Sequence, residues 1–126
     1  MSRDKNSGNW WLVIGNNNEH VGYWPKDLFT YLADGAKGVS WGGLAMAGSD
    51  GVSPPMGNGR FPREPSPCFF NKLEFVNAEY YIAHPSKPAD IEVRVDGNHC
   101  YDISYNDYEP DKGDSFTFGG IGGKCD

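Results

Sequence analysis

The stretch Asn9–Trp24, "NWWLVIGNNNEHVGYW", decides the fold class of this chain. Its apolar run "NWWLVIG" ends in a turn rich in glycine and asparagine, Gly15–Asn18, and strand-like sequence resumes after the turn as "HVGYW". Two such runs on either side of a glycine and asparagine turn are typical of a β-hairpin. The stretch therefore predicts a pair of antiparallel strands.

The composition of the whole chain agrees with a β fold. The 126 residues include 17 glycines and 9 prolines, and 14% are aromatic, whereas good helix formers are few. A chain of this length forms one domain at most. We therefore predict a single all-β domain over residues 1–126, with roughly seven or eight strands.

The net charge of -6 argues against several classes of partner. Lysine and arginine are thinly scattered, so there is no basic stripe to neutralise a phosphate backbone, and we do not expect nucleic acid as a partner. The longest apolar run, Trp10–Ile14, has the length of a strand and is too short to cross a membrane. The charged start "MSRDKNSGNWW" has no signal-peptide apolar segment after it. Either the protein is cytosolic, or Met1 is not the natural start of a secreted protein.

One short helix is predicted over Pro25–Ala33. Proline is tolerated in the first turn of a helix, and Gly35 supplies a stop at the other end. Apolar residues recur between them at spacings of three and four, namely Leu28, Phe29 and Leu32.

Further strands are predicted on both sides of a long loop. The segment Gly38–Met46, "GVSWGGLAM", has strand-like alternation, and its glycines permit a bulge or a close approach by another backbone. The next segment, Gly48–Pro67, is too rich in glycine and proline to be regular. The segment Cys68–Asn77, "CFFNKLEFVN", is predicted to be a strand whose buried face consists of Phe69, Asn71, Leu73 and Phe75.

The last part of the chain is predicted to contain a second hairpin and a final strand. The hairpin is Ala89–Tyr105, "ADIEVRVDGNHCYDISY", with its turn at Asp96–Asn98. The final strand precedes a tail, "GGIGG", at Gly119–Gly123. This tail is not a phosphate cradle, because no helix-forming segment follows it, and it is interpreted as a turn.

The three cysteines, Cys68, Cys100 and Cys125, cannot all pair within one chain. A bridge between Cys100 and Cys125 would close a loop of about 25 residues and would stabilise the fold by ~3 kcal/mol in an oxidising compartment. The alternative is three free thiols, with Cys68 a small buried apolar residue. No Cys-x-x-Cys or His-x-x-x-His spacing exists, so neither a metal site nor a cofactor is expected.

Aromatic side chains are the main candidates for binding. Trp10, Trp11, Tyr23, Trp24 and Trp41 could form a stacking platform for sugars or proline rings. The alternative is that most of them are core residues, because alternate residues of each strand must face inward. Carboxylates offer no clear site, since the glutamates look like solvated strand residues.

Six blocks of sequence follow one another through nearly the whole chain: "GNWWLVIG", "VGYWPKDLFTYLADGA", "VSWGG", "SPPMGNGRFP", "CFFNKLEFVN" and "CYDISY…FGGIGGKC". Together they resemble the C-terminal half of the plant neprosin domain, a family of secreted glutamic peptidases that includes a prolyl endopeptidase. The resemblance implies a β-sandwich of two antiparallel sheets, a cleft on one concave sheet and two catalytic glutamates. It also implies cleavage on the carboxyl side of proline, a Cys100–Cys125 disulfide, and a secreted or vacuolar location.

Two departures from the family pattern bear on activity. The glutamate that follows the tryptophan-glycine-glycine block in the family is replaced here by Leu44. The other catalytic glutamate belongs to an N-terminal half that this chain lacks, so no residue is carried over as catalytic. Because loss of a general acid or base typically costs ~10²- to 10⁴-fold in rate, we expect the isolated chain to be inactive.

Two other expectations follow from the same departures. A partner chain that supplies the missing N-terminal strands would cover the sheet edges and apolar faces left open. Alternatively, the chain is a non-catalytic binding module that uses Tyr23, Trp24 or Trp41 to stack on proline-rich peptides or cell-wall carbohydrate.

Overall fold

The computed structural model describes residues 1–85 and 91–125. Within these residues the chain is built of antiparallel strands, with a single 3-10 turn, so the predicted all-β class is confirmed. The face-to-face packing of a sandwich stays a prediction. The strands are β1 (Ser2–Arg3), β2 (Trp10–Ile14), β3 (Glu19–Trp24), β4 (Cys68–Phe70), β5 (Phe75–Val76), β6 (Ile82–Ala83), β7 (Asp102–Glu109) and β8 (Gly113–Gly119).

Two compact units divide the chain. The first unit comprises Met1–Ser40 and Val76–Ile82, and the second comprises Trp41–Phe75 and Ala83–Asp126. The buried hydrophobic residues of the described part all belong to the second unit: Leu73, Cys100, Tyr101 and Phe116. The first unit therefore keeps its large aromatic side chains partly exposed. No helix in residues 1–85 or 91–125 is long and apolar enough to cross a membrane.

The first unit is organised around the hairpin that the sequence predicts. β2 and β3 pair antiparallel, with Trp10 opposite Trp24 and Trp11 opposite Tyr23, and β1 pairs with the other edge of β2. The register shifts after the Leu12 pair, which leaves Val21 as an extra residue in β3. The three strands therefore form one sheet in which β2 is central, and β3 is an edge strand with a β-bulge at Val21.

The helix predicted over Pro25–Ala33 is wrong. Only Lys26–Leu28 form a single 3-10 turn, and Phe29 is already extended, with φ -116° and ψ 123°. Further along, the Leu32 carbonyl accepts hydrogen bonds from Nε1 of Trp10 at 2.9 Å and from the backbone N–H of Gly35 at 3.1 Å, which closes a turn and not an α-helix. A helix of about nine residues is marginal on its own, so tertiary contacts decide its backbone conformation.

The second unit is built on a three-stranded sheet in which β8 lies between β4 and β7. Phe70 of β4 stacks on Phe116 of β8, with ring centroids 5.0 Å apart, and lies 5.2 Å from the ring of Phe118. The three rings therefore pack together across β4 and β8, the two strands that backbone hydrogen bonds also join. β8, the final strand that the sequence predicts, is thus the central strand of the unit.

The predicted continuous strand "CFFNKLEFVN" is interrupted. Lys72 has a positive φ of 52°, and this kink separates β4 from β5. Leu73 is buried and Phe75 half-buried, as predicted, but Phe69 is 65% exposed and Asn71 is also exposed. The prediction of one buried face fails because the kink changes which alternate residues point inward.

The hairpin predicted for Ala89–Tyr105 is wrong in its pairing. Residues 89 and 90 lie outside the described residues, and residues 91–95 form no strand. The chain turns near Gly97, whose carbonyl accepts the backbone N–H of Cys100 at 2.9 Å. The strand that follows, β7, pairs with β8 and not with residues 91–95.

The strand predicted for Gly38–Met46 does not form, because these residues lie outside every sheet of the described chain. The glycines do permit a close approach, as expected, but a side chain makes it. The Met56 sulfur lies 2.5 Å from the position that a Cβ atom at Gly43 would take. A side chain at Gly43 would therefore require the flexible Met56 side chain to shift.

The predicted disulfide is present between Cys100 and Cys125, whose Cα atoms are 5.6 Å apart. Cys68 is a half-buried free thiol. The tail before Cys125 bridges to the proline-rich loop, with Gly120 opposite Met56 and Gly123 opposite Ser53. The glycine-rich tail is thus fastened both by the disulfide and by backbone hydrogen bonds.

Candidate functional site

An aromatic face on the β2–β3 hairpin is the strongest candidate for a binding site in the first unit. Because Trp11 pairs with Tyr23 and Val13 pairs with His20, these four side chains share one face of the hairpin. The Trp11 ring centroid is 4.8 Å from that of Tyr23 and 5.0 Å from that of His20. The face therefore presents three adjoining rings, of which Tyr23 is about half exposed.

A groove with a volume of about 590 Å³ lies over this region. It is open and combines apolar, aromatic and polar side chains, as ligand sites commonly do. Trp11 and His20 contribute the aromatic rings of its lining. Its full lining is Met1, Ser2, Arg3, Asp4, Lys5, Trp11, Val13, Ile14, Gly15, Asn18, His20, Val76 and Ile82, all from the first unit.

The charged residues of the lining come from one short segment, Arg3–Lys5. The Asp4 carboxylate is occupied within its own turn, where its Oδ1 accepts hydrogen bonds from the Ser7 backbone N–H at 2.7 Å and from the Ser7 hydroxyl at 2.6 Å. These hydrogen bonds lower the pKa of Asp4 below its ordinary value. Asp4 is thus a fixed carboxylate that already has donors.

Arg3 joins three parts of the first unit. Its Nε and Nη2 atoms donate to the Ala33 carbonyl at 3.1 and 2.9 Å, and Nη1 donates to the Tyr80 hydroxyl at 2.8 Å. The Lys5 ammonium lies 5.6 Å from the centroid of the Tyr80 ring, within the range of a cation–π contact. Tyr80 itself has a positive φ of 65°. Both cations therefore contact neutral groups.

The three aromatic residues predicted to bind ligand are divided between the two faces of one sheet and between the two units. Tyr23 and Trp24 are neighbours in β3, so their side chains point to opposite faces of the sheet. Tyr23 stands with Trp11 beside the groove, whereas Trp24 is opposite Trp10 on the other face. Trp41 belongs to the second unit, where it is half-buried. The binding role assigned to these residues stays a prediction, and Trp11 and His20 are additions that the strand register reveals.

The position at which the sequence predicts that Leu44 replaces a family glutamate is exposed. Leu44 is 91% exposed and lies in a segment without regular structure. The glutamates of the chain are also all exposed: Glu19, Glu64, Glu74, Glu79, Glu92 and Glu109. The described structure therefore buries none of the six glutamates.

A polar cluster that sequence reasoning missed is centred on Asp114 in the second unit. Asp114 is only 4% exposed, and its Oδ1 accepts a hydrogen bond from the Tyr105 hydroxyl at 2.5 Å. Nδ1 of His84 lies 3.0 Å from the other carboxylate oxygen, and the His84 ring lies 5.5 Å from that of Tyr108. Burial, together with the Asp114 carboxylate, raises the pKa of Tyr105 to about 12.

This cluster could not be found from the sequence because His84 and Asp114 are 30 positions apart. Neither residue lies in a recognisable motif. In this cluster the buried Asp114 carboxylate has two hydrogen-bond donors, which is the usual way to satisfy a buried charge. Within residues 1–85 and 91–125, no group of three or more histidine, cysteine, aspartate or glutamate side chains is placed to hold a metal ion.

The geometry defines a β-rich chain with an aromatic groove and a disulfide-fastened tail. Comparison with family models is more specific, since the Neprosin model matches residues 1–121. The chain therefore belongs to the Neprosin family. No solved structure matches it.

Proposed function

We propose that this chain is a peptide-binding member of the Neprosin family that does not itself hydrolyse the peptide. The observation that carries the proposal is the groove beside the ring cluster of Trp11, His20 and Tyr23. A proline ring stacks well on aromatic faces and has little conformational freedom to lose on binding. The groove offers this surface together with polar groups that can receive a peptide backbone.

The lack of hydrolysis is inferred from Leu44. A leucine side chain can neither activate water nor donate a proton, and the described structure buries none of the six glutamates. In our proposal, this chain therefore keeps the recognition of proline-containing peptides that the family resemblance implies, but it does not cleave them. The disulfide supports an oxidising compartment, which agrees with the secreted or vacuolar location that the resemblance implies.

Tryptophan fluorescence titration with a proline-rich peptide that has no aromatic residues tests binding. We expect saturable binding, and we expect Trp11→Ala to weaken it by about tenfold, equivalent to ~1.4 kcal/mol, because Trp11 contributes the largest ring of the cluster. Trp24→Ala is the matched control, since this tryptophan lies on the opposite face of the same hairpin. Circular dichroism confirms that both variants fold.

The outcomes separate the candidate sites. Loss of binding in Trp24→Ala or Trp41→Ala, with no effect of Trp11→Ala, would move the site to the residues first predicted. Saturation by a cell-wall oligosaccharide but not by the peptide would favour carbohydrate as the ligand. Mass spectrometry after incubation at acid pH should find the peptide intact, also with Leu44→Glu, because one restored carboxylate does not make the pair that the family uses. Cleavage after proline would overturn the inactivity.

A further inference from the structure

We propose that the groove of the first unit selects acidic peptides, in which a carboxylate lies close to the residue that stacks on Trp11 and Tyr23. This inference rests on the proposed function and adds a ligand class to it. It depends on the distribution of charge along the groove, which differs from that of the whole molecule. The chain carries a net charge of -6, whereas the charged lining of the groove consists of two cations and one carboxylate.

Neither cation forms an ion pair with a carboxylate among the described residues, although Arg3 is close enough to Asp4 to help lower the pKa of that carboxyl. The Arg3 guanidinium donates three hydrogen bonds, all to neutral oxygen atoms of Ala33 and Tyr80. The Lys5 ammonium faces the Tyr80 ring. The Asp4 carboxylate receives hydrogen bonds from Ser7 instead. Unpaired cations in an acidic molecule create a local positive potential that attracts anionic groups.

The positive potential is confined to one end of the groove. β1 pairs with the beginning of β2, where Arg3 is opposite Trp10 and Ser2 is opposite Trp11. The nearest glutamate of the hairpin, Glu19, pairs with Ile14 at the other end of β2. Four residues of strand separate the two ends by roughly 14 Å, which exceeds the Debye length of about 8 Å at physiological salt. Glu19 therefore does not cancel the charge of Lys5.

The ring cluster also lies toward the cationic end. Trp11 and Tyr23 are one register position from the Trp10 pair, next to β1. A proline or other apolar residue stacked on these rings would thus place a neighbouring glutamate or aspartate near Lys5. Arg3 is opposite Trp10, so its side chain lies on the other face of the sheet from Trp11 and Tyr23, and Lys5 is the cation that the glutamate or aspartate would meet.

The test uses two peptides that differ in one residue: a proline-containing peptide with a glutamate two positions from the proline, and the same peptide with glutamine. On the unmodified chain at low ionic strength we expect the glutamate peptide to bind roughly three- to fivefold more tightly, as suits an exposed ion pair. Because salt screens exposed charges, the difference should fall below about twofold in ~0.5 M sodium chloride. Calorimetric titration measures both affinities.

Lys5→Gln should abolish the preference for the glutamate peptide, so that the two peptides bind the variant with equal affinity. Lys37→Gln is the matched control, because Lys37 is an exposed lysine of the first unit that does not line the groove. Equal affinity of the two peptides for the unmodified chain would overturn the inference and leave the proposed function standing. Failure of both peptides to bind would overturn both. A more tightly bound oligogalacturonide would show that the cationic end serves an acidic carbohydrate and would overturn the assignment to peptides.

Discussion

Asp114 shows at the scale of single residues how this chain accommodates a buried charge. Its carboxylate is nearly inaccessible, yet each oxygen has a partner, the Tyr105 hydroxyl on one side and the His84 imidazole on the other. A buried carboxylate without such donors would cost several kcal/mol. The same proximity acts on Tyr105, because burial and the neighbouring negative charge both oppose its ionisation.

We expect Tyr105→Phe to lower the free energy of unfolding by about 1.5–3 kcal/mol, because it removes a hydrogen bond to a buried charged group. Urea denaturation at neutral pH measures the change. Tyr23→Phe is the control, since Tyr23 is half exposed and lies on the hairpin of the first unit. A loss for Tyr105→Phe no larger than that for the control would contradict the role assigned to this hydrogen bond.

The raised pKa of Tyr105 adds a dependence on pH. In the folded chain Tyr105 keeps its proton up to a pH of about 12, whereas in the unfolded chain it loses the proton near 10. Between these values the unfolded state binds fewer protons, so stability falls as the pH rises through this window. Comparison of Tyr105→Phe with the unmodified chain isolates this contribution, because the variant lacks the titrating group. The gap in stability between the two proteins should therefore narrow from pH 10 to 12.

At the scale of elements, the tail Gly119–Gly123 is the segment most dependent on glycine. Gly122 has a φ of 70°, and a Cβ atom there would overlap the Ser53 carbonyl oxygen. A Cβ atom on Gly120 would likewise overlap the Cys100 carbonyl oxygen. The tail thus passes between two other backbone segments, which explains a glycine-rich sequence that looked like a simple turn.

Gly122→Ala should therefore destabilise the second unit by about 3 kcal/mol or more, since left-handed strain and a backbone clash add together. Thermal unfolding measures the effect. Gly42→Ala is the control: Gly42 lies in the same unit, and a Cβ atom there would meet nothing within 4 Å. The control should stay within about 0.5 kcal/mol of the unmodified chain. Similar stability of the two variants would mean that the tail can move aside.

The elements that the sequence predicted correctly are those specified by local signals. The β2–β3 hairpin needs only two apolar runs and a Gly15–Asn18 turn, all within 16 residues. The failures concern segments whose partners are distant. Residues 25–33 have helical spacing, but the chain is extended from Phe29 and the Leu32 carbonyl accepts a hydrogen bond from the Trp10 indole. β7 pairs with β8, which follows it, and not with residues 91–95. The spacing of apolar residues along one segment does not predict which distant segment it will contact.

The candidate site follows the same division. The sequence predicts aromatic binding residues, Tyr23 among them. The face of the sheet on which each of them lies depends on the register of β2 against β3. That register carries a bulge at Val21, which no local signal specifies. The charge at one end of the groove depends on β1, a strand of two residues that is too short to predict from alternation.

At the scale of the whole molecule, the disulfide belongs entirely to the second unit. It closes a loop of 25 residues that contains β7 and β8, the strands that pair most extensively. The first unit has no cysteine, and its sheet is held by the pairing of β1, β2 and β3. The cross-link is therefore expected to act on one unit only, which makes its effect separable.

Cys125→Ser should reduce the stability of the second unit by ~3.5 kcal/mol, because the open loop gains conformational freedom in the unfolded state. Hydrogen exchange resolves the two units: amide protection should fall in β7 and β8, where unfolding becomes easier, and should stay unchanged in β2 and β3. Cys68→Ser is the control, since it removes a half-buried thiol without opening a loop. Equal loss of protection in both hairpins would mean that the disulfide stabilises the chain as one cooperative body, and that the groove of the first unit depends on an oxidising environment.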